Sequence, residues 1–391
     1  MRRFGSHLRQ HFLLDERLCF LNHGSFGATP RSVLEAQTAW RARMEADPVR
    51  FMVHTLPGAL REQADGLGQL IGARGQDLVF VENATTGVNA VLRSLDLGPE
   101  DELLALSHVY PAVSNTLEYL AERSGCSVVR VALPHPIEDA QQVIDLVAAS
   151  ITERTRIAVL DHVTSFSALV MPIAALVDLC HSRGVEVLVD GAHAPGMLDL
   201  DLEEVGAEYY VGNCHKWLWA PKGCAFLYVR EDKQVDVHPA VISLREAEGY
   251  PFRFDWSGTK DPTAWLALGA ALEFHAWLGG VAVRRHNHAL VVEASEQIAS
   301  VLGWELASPV EMTGCIRSMR IPGSDHADAK HALALHDYLA DTHHIEALVH
   351  AHKGLWIRLS AQVYNEIGDY AVLLAGLQRW LEHDPSSLRL V

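Results

Sequence analysis

The chain of 391 residues is 49% hydrophobic and 21% charged, with a formal net charge of −17. A chain of this length can bury a sizeable core and hold two or three domains, and no apolar run reaches the ~18 residues needed to cross a bilayer. The acidic balance opposes attraction to phosphate backbones and no dense Lys/Arg stripe reverses it locally, so neither nucleic acid nor a membrane is an expected partner.

The opening "MRRFGSHLRQHFLLDERLCFLNHG" breaks its apolar pieces with His, Arg, Asp and Glu, which does not suit a signal peptide and suggests a cytoplasmic protein. Cysteines at 19, 126, 180, 214, 224 and 315 follow neither a metal-knuckle nor a disulfide-framework spacing, so reduced thiols are expected. "TPRSVLEAQTAWRARMEADP" has a Thr/Pro start and an amphipathic pattern, predicting a helix. Residues 1–50 are expected to form an N-terminal segment that packs near a small domain.

From about 78 to 230, the runs "DLVFVEN", "ELLALSHVY", "SVVRVAL", "RIAVLDHV", "VEVLVDGAH", "AEYYVGNCH" and "CAFLYVR" alternate with helical patterns. Several are apolar on consecutive positions, which suits strands covered on both faces, so a large, mainly parallel α/β domain is expected over 51–264. Beyond Trp256, "PTAWLALGAALEFHAWLGG" and "NHALVVEASEQIASVLGW" predict long helices, while "GCIRSMRIP" and "GLWIRLSAQ" predict strands. This mixture suggests a smaller α+β domain over 265–391.

Chemistry-bearing residues sit where these strands end. "LVDGAHAPG" presents Asp190 and His193 at a strand exit, the rim at which open α/β sheets bind ligands. "GNCHKWLWAPKG" places Lys216 beside Trp217 and Trp219. A surface lysine, a phosphate-gripping lysine and an imine-forming nucleophile remain open for it; the third requires a dry environment that frees the amine of its proton. Thr85 and Thr86 in "ENATTGVNAVL" could cradle an anion at a helix start or simply cap it. His108 and Tyr110 in "LSHVYPAV" each offer a flat ring for stacking or for the core. Arg358, in the apolar "GLWIRLS", suits either an internal ion pair or a substrate carboxylate. His162, His193 and His215 lack a metal-binding spacing, and the four histidines of "DTHHIEALVHAHKG" read more simply as a polar loop beside a cleft than as a metal site.

Together, "FLNHGSFGATP", "ENATTGVNAVLRSL", "LDHVTSFSALVMPI", "VDGAHAPGMLDLDL", "NCHKWLWAPKG", "WSGTKDPTAWLALGAALEF" and "WIRLSAQVYN" resemble the class V aminotransferase family of pyridoxal-phosphate enzymes. The resemblance is closest to its isopenicillin-N epimerase-like and cysteine C–S lyase-like branch, and it implies fold type I with a seven-stranded sheet. By this resemblance Lys216 carries the cofactor covalently and shuttles the Cα proton, while Asp190 pairs with the pyridine nitrogen. His193 lies near the phenolic oxygen; Thr85, Thr86, Asn213 and His215 lie around the phosphate. The ring stacks on Tyr110 or His108, with Tyr110 preferred. Thr259 reaches the phosphate of a partner subunit, which implies a homodimer. Arg358 takes the substrate α-carboxylate, and Asn22 lies near substrate and cofactor.

Shared motifs do not choose the fate of the Cα carbanion. Cysteine desulfurases, also similar, carry a cysteine in the loop before the "R-x-S" strand; "HHIEALVHAHKGLWIRLS" has none, which disfavours persulfide formation. The branch implies β-elimination from an S-substituted L-cysteine in thiol or specialised metabolism. Epimerisation, decarboxylation-coupled oxidative deamination, transamination and a non-catalytic homologue are the alternatives. Loops around 50–57, 245–256 and 342–353 are expected to set the side chain accepted.

Overall fold

The computed structural model describes residues 3–383, so the last residues of the expected small domain, 384–391, lie outside the described residues. The chain begins with a two-residue strand, β1 (Cys19–Phe20), a helical turn at His23–Phe26, and the helices α1 (Arg31–Ala46) and α2 (Leu56–Ile71). Strands and helices then alternate: β2 (Leu78–Val81), α3 (Ala84–Ser94), β3 (Glu102–Leu106), α4 (Pro111–Ser124), β4 (Ser127–Val131) and α5 (Ala140–Ser150). The series continues with β5 (Thr155–Asp161), α6 (Ile173–Ser182), β6 (Glu186–Asp190), β7 (Tyr209–Asn213) and β8 (Ala225–Val229).

These seven strands form one sheet in the order β2-β8-β7-β6-β5-β3-β4. β8 runs against both its neighbours, and the remaining pairings are parallel. Consecutive apolar residues are explained by two covered faces. Phe80, Leu104, Leu160 and Val189 pack with Leu60 and Leu67 of α2, Val143 of α5 and Leu176 of α6. Their neighbours Val79, Ala105, Val159 and Leu188 pack on the other face, with Val88 of α3 and Leu117 of α4. Each such buried Val or Leu contributes about 1.5–3 kcal/mol relative to exposure, so both faces are needed to hold the sheet. The parallel strands present their carboxyl ends on one rim, and the strand order reverses between β3 and β5.

Beyond the sheet, the long helix expected over "PTAWLALGAALEFHAWLGG" is interrupted at Ala267, giving Thr263–Leu266 and α7 (Leu268–Leu278). Leu268, Ala271 and Phe274 still pack into the large core, whereas α8 (Val281–Leu302) passes from it into a second core at Leu290. The remaining elements are β9 (Glu305–Leu306), β10 (Ile316–Arg320), α9 (Ala329–Asp337), β11 (Ile345–Glu346), β12 (Leu348–Ala351), β13 (Leu355–Ser360) and α10 (Ile367–His383). An antiparallel sheet forms in the order β12-β13-β10-β9.

The histidine-rich stretch before Gly354 is therefore not a loop. Pairing with β13 satisfies the backbone of Leu348–Ala351, and that pairing outweighs the polarity of the sequence. β1 pairs in parallel with β11, and the Ser360 N–H donates to the Leu21 carbonyl at 2.8 Å. The N-terminal segment is thereby sewn to the small sheet beside Arg358.

Candidate active site

Six chain segments converge on a cavity of ≈ 380 Å³ at the sheet rim. β2 and α3 supply Asn83, Ala84 and Thr85; the exit of β3 supplies Tyr110; β5 supplies Asp161, Val163 and Ser165. Asp190, Ala192 and His193 follow β6, Asn213, His215 and Lys216 follow β7, and Ser25 and Phe26 come from the N-terminal turn. A roomier cavity of ≈ 470 Å³, lined by Leu13, Thr29, Arg41 and Lys222 among others, contains none of these strand-end groups.

Lys216 is held by its surroundings on three sides. Trp217 and Trp219 are fully buried, and Trp219 adopts φ 60° so that the chain turns back, its N–H reaching the Lys216 carbonyl at 3.3 Å. From the N-terminal segment, buried His23 places Nε2 3.1 Å from the same carbonyl and Nδ1 2.8 Å from the Tyr364 hydroxyl. Gly27 is required for this close approach: at φ 71°, a Cβ there would lie 2.4 Å from the His215 carbonyl.

The amine itself lies 3.1 Å from His193 Nε2. Burial, followed by the Arg358 guanidinium, pushes it down to about 7, against the opposing pull of Asp190. His193 is held well below the imidazole range by burial, then by Lys216, Arg358 and His215, so it is neutral and shares a hydrogen bond with the Lys216 amine. Its Nδ1 is a buried atom with no hydrogen-bond partner among the described residues.

Asp190 accepts from the Ala192 N–H at 3.0 Å and is almost wholly buried. Asp161 stands beside it in register across β5 and β6. Burial raises both carboxyls; the neighbouring Asp190 raises Asp161 further, while the Ala192 N–H and Lys216 restrain Asp190. Asp161 is the more strongly raised of the two, and the Ala192 N–H and Lys216 favour the charged form of Asp190. Sequence reasoning missed Asp161, although "VLDHV" ends an apolar run on an aspartate just as "LVDGAH" does.

The other candidate residues divide clearly. Thr85, Tyr110, Asn213 and His215 line the cavity, and the Asn213 side chain accepts from the Ala84 N–H at 2.9 Å, locking β7 to the start of α3. Thr86 is engaged instead in the helix cap, donating from its N–H and its hydroxyl to Asn83 Oδ1. His108 is fully buried behind the wall, with Nδ1 3.0 Å from the Ser167 hydroxyl. Arg358 is buried as well, donating to the Ser165 carbonyl, to Asn22 Oδ1 at 3.3 Å and to the Ser25 hydroxyl at 3.1 Å. Asn22 is oriented by Glu346, which accepts from its amide at 3.0 Å. Thr259 lies outside this cavity, exposed on a half-buried loop whose Lys260 reaches back to Glu82 at 2.6 Å.

Pyridoxal phosphate, the cofactor implied by the sequence motifs, fits these groups. The N-terminus of the eleven-residue α3 opens on one end of the cavity and suits a phosphate. A buried carboxyl held towards its charged form by Lys216 suits a protonated ring nitrogen, and an amine lowered to about 7 suits an aldehyde. His193 Nδ1 and Asp161 Oδ2 are buried polar atoms still without partners among the described residues.

The chain resembles known proteins over most of its length. The chain is 32% identical to an L-cysteine desulfhydrase of Arabidopsis thaliana over 90% of this chain and 85% of that protein. It is 33% identical to an isopenicillin N epimerase of Streptomyces clavuligerus, over 83% and 86% respectively. The fold matches the crystal structure of the cysteine desulfurase CsdA from Escherichia coli with a TM-score of 0.79, at 21% identity and covering 96% of this chain and 98% of that one. The aminotransferase class-V profile matches residues 20–371, from the N-terminal strand through the start of α10, and the chain belongs to that family.

Proposed function

We propose that this enzyme is a pyridoxal-phosphate-dependent C–S lyase that breaks the Cβ–S bond of L-cysteine or an S-substituted L-cysteine, yielding, with one water consumed, pyruvate, ammonia and hydrogen sulfide or the corresponding thiol. The observation that carries the reading is the Lys216 amine, brought to about 7 in a cavity shared with buried Asp190, with Arg358 bonded to the lining residues Ser25 and Ser165. Bound there, the cofactor would supply an aldehyde for this amine and an electron sink for Cα.

The chain's own groups perform the rest. Asp190 keeps a negative charge against the ring nitrogen, and Thr85, Asn213 and His215 surround the phosphate end. Arg358 takes the α-carboxylate in a fork, its direction fixed by Asn22 and Ser25. Lys216 then moves the Cα proton, and His193, neutral and 3.1 Å away, holds the amine in place. The relative that breaks down L-cysteine favours elimination, and the β12–β13 hairpin, with no cysteine over 345–360, offers no thiol to form a persulfide. Likeness to an isopenicillin N epimerase supports epimerisation as a second reading.

A homodimer is the proposed active unit, with Thr259 serving the cavity of the other copy; exposed Val241, Ile242 and Leu244 supply apolar surface for such a contact. Six free cysteines fit the reducing cytoplasm as its location. The cofactor-loaded protein is to be incubated with L-cysteine and with S-substituted derivatives, and pyruvate and thiol assayed. Intact substrate with an exchanged Cα hydrogen would favour epimerisation instead. A protein that binds no pyridoxal phosphate through Lys216, judged by a visible absorption band lost in Lys216→Ala, would refute both readings.

A further inference from the structure

A second cavity, of ≈ 280 Å³, lies where the two domains meet, lined by Leu133, Pro134, His135, Arg320, His352, Lys353 and Trp356. Its polar lining is of one kind: two cations and two imidazoles, with no carboxylate among the lining residues. Asp325 pairs with Arg320 but comes from the exposed side. The cavity is also braced. The Leu133 N–H donates to the Ser107 hydroxyl at 3.0 Å and the Ile137 N–H to the Ala307 carbonyl at 3.2 Å, fixing the His135 segment at both ends. The His135 ring stacks on Trp356 with centroids 3.6 Å apart, and Trp356 Nε1 donates to the His352 carbonyl at 2.9 Å. Arg320 donates to the Lys353 carbonyl at 3.3 Å, tying the guanidinium to the β12–β13 turn.

Both ring nitrogens of His135 are buried and lack a hydrogen-bond partner among the described residues, as do those of neighbouring His350, a costly arrangement for a polar ring. Burial, together with His108, His350, His352 and Arg320, holds this imidazole down at about 2. Two cations, Arg320 and Lys353, thus line the cavity beside an uncharged ring whose N–H is free to donate to a negative group. The partition from the main cavity is thin. Phe166, adjacent in sequence to the cavity-lining Ser165, lies 4.8 Å from the His352 ring and 5.0 Å from His108, which in turn is 5.1 Å from His135.

We propose that this second cavity binds an oxyanion, a carboxylate or phosphate-like group, through Arg320, Lys353 and His135. The anion is either the distal acid group of the substrate side chain, an alternative that rests on the C–S lyase reading of the main cavity, or a free anion.

Calorimetric titration of the cofactor-loaded protein with inorganic phosphate tests the site without reference to catalysis, because the cofactor already fills the phosphate end of the main cavity. Saturable binding is expected, weakened about tenfold or more by Arg320→Gln and by Lys353→Gln and largely kept by Arg320→Lys. Heat without saturation, or an affinity unaltered by both glutamine variants, would overturn the proposal. Turnover then separates the sources. If the anion belongs to the substrate, phosphate competes with S-carboxyethyl-L-cysteine, and Arg320→Gln raises its KM about tenfold while sparing S-propyl-L-cysteine. If the anion is free, phosphate binds without competing and the two KM values keep their ratio. Should no cysteine derivative be turned over, the calorimetric result still stands or falls alone.

Discussion

A lysine whose amine is held neutral lowers the stability of the fold that buries it, and replacing Lys216 should reveal this. In water a lysine titrates near 10.5, whereas in this cavity burial and Arg358 bring Lys216 down to about 7. At pH 7 about half of the folded molecules therefore carry a free amine, against about one in three thousand unfolded chains. The unfolded state binds more protons throughout that interval, so stability rises with pH from 7 to 10.5 at up to about 1.4 kcal/mol per pH unit. The penalty is fully present below 7 and vanishes above 10.5. Lys216→Met keeps the volume and removes the titration. Relative to wild type, its cofactor-free form should gain a ceiling of about 5 kcal/mol at pH 6 and about 2 kcal/mol at pH 9. The difference of about 3 kcal/mol is the telling quantity, because any packing change made by Met is the same at both pH values. Urea unfolding of both cofactor-free proteins at the two pH values measures it. Equal gains at pH 6 and pH 9 would show that the amine titrates as an ordinary lysine and would remove the physical basis for its role.

Arg358→Lys retains the charge but loses the planar fork held by Asn22, Ser25 and the Ser165 carbonyl. The KM for amino-acid substrates should rise about 10- to 100-fold while the cofactor absorption persists, and an unchanged KM would remove Arg358 from carboxylate recognition. Gly191→Ala tests the strand exit after Asp190: its Cβ would fall 2.2 Å from the Tyr210 ring and hydroxyl. That ring is buried, stacked in parallel on Phe226, and bonded to His162 Nδ1 at 2.8 Å, so it has little room to yield. A loss of about 1–3 kcal/mol or more in thermal or urea unfolding is expected, and wild-type stability would contradict this packing.

How far the sequence revealed the site depends on the range of the forces that build each part. Strands such as β2, β3, β5 and β8 were legible because burial on both faces writes consecutive apolar residues, a local record of a global layer; edge strand β4, with Ser127 exposed, carries a weaker record. Asp190 and Lys216 were legible for a related reason: a polar group directly after such a run has only the sheet rim to occupy. His108 and Tyr110 obey the same pattern, and a single turn separates them. The Val109 N–H closes onto the Leu106 carbonyl at 3.1 Å, His108 turns in towards Ser167, and Tyr110 faces the cavity at the head of α4 with 43% of its surface exposed. Thr86 shows local competition, since its hydroxyl answers to Asn83 in the cap.

What the sequence could not show is contact made over long separations. Asn22 and Arg358 are 336 positions apart and meet because β1 finds β11. The histidines of the β12 hairpin looked like a polar loop, but pairing with β13 fixes His350 in the strand and His352 in the turn after it, with rings 5.3 Å and 4.8 Å from Phe166. Both cavities therefore depend on the same event, the docking of the small sheet against the rim of the large one. One wall, made by Phe166 and His108, divides them. A change in that wall should be felt on both sides: at the amine through Arg358, which the Ser165 carbonyl holds, and at the second cavity through His352.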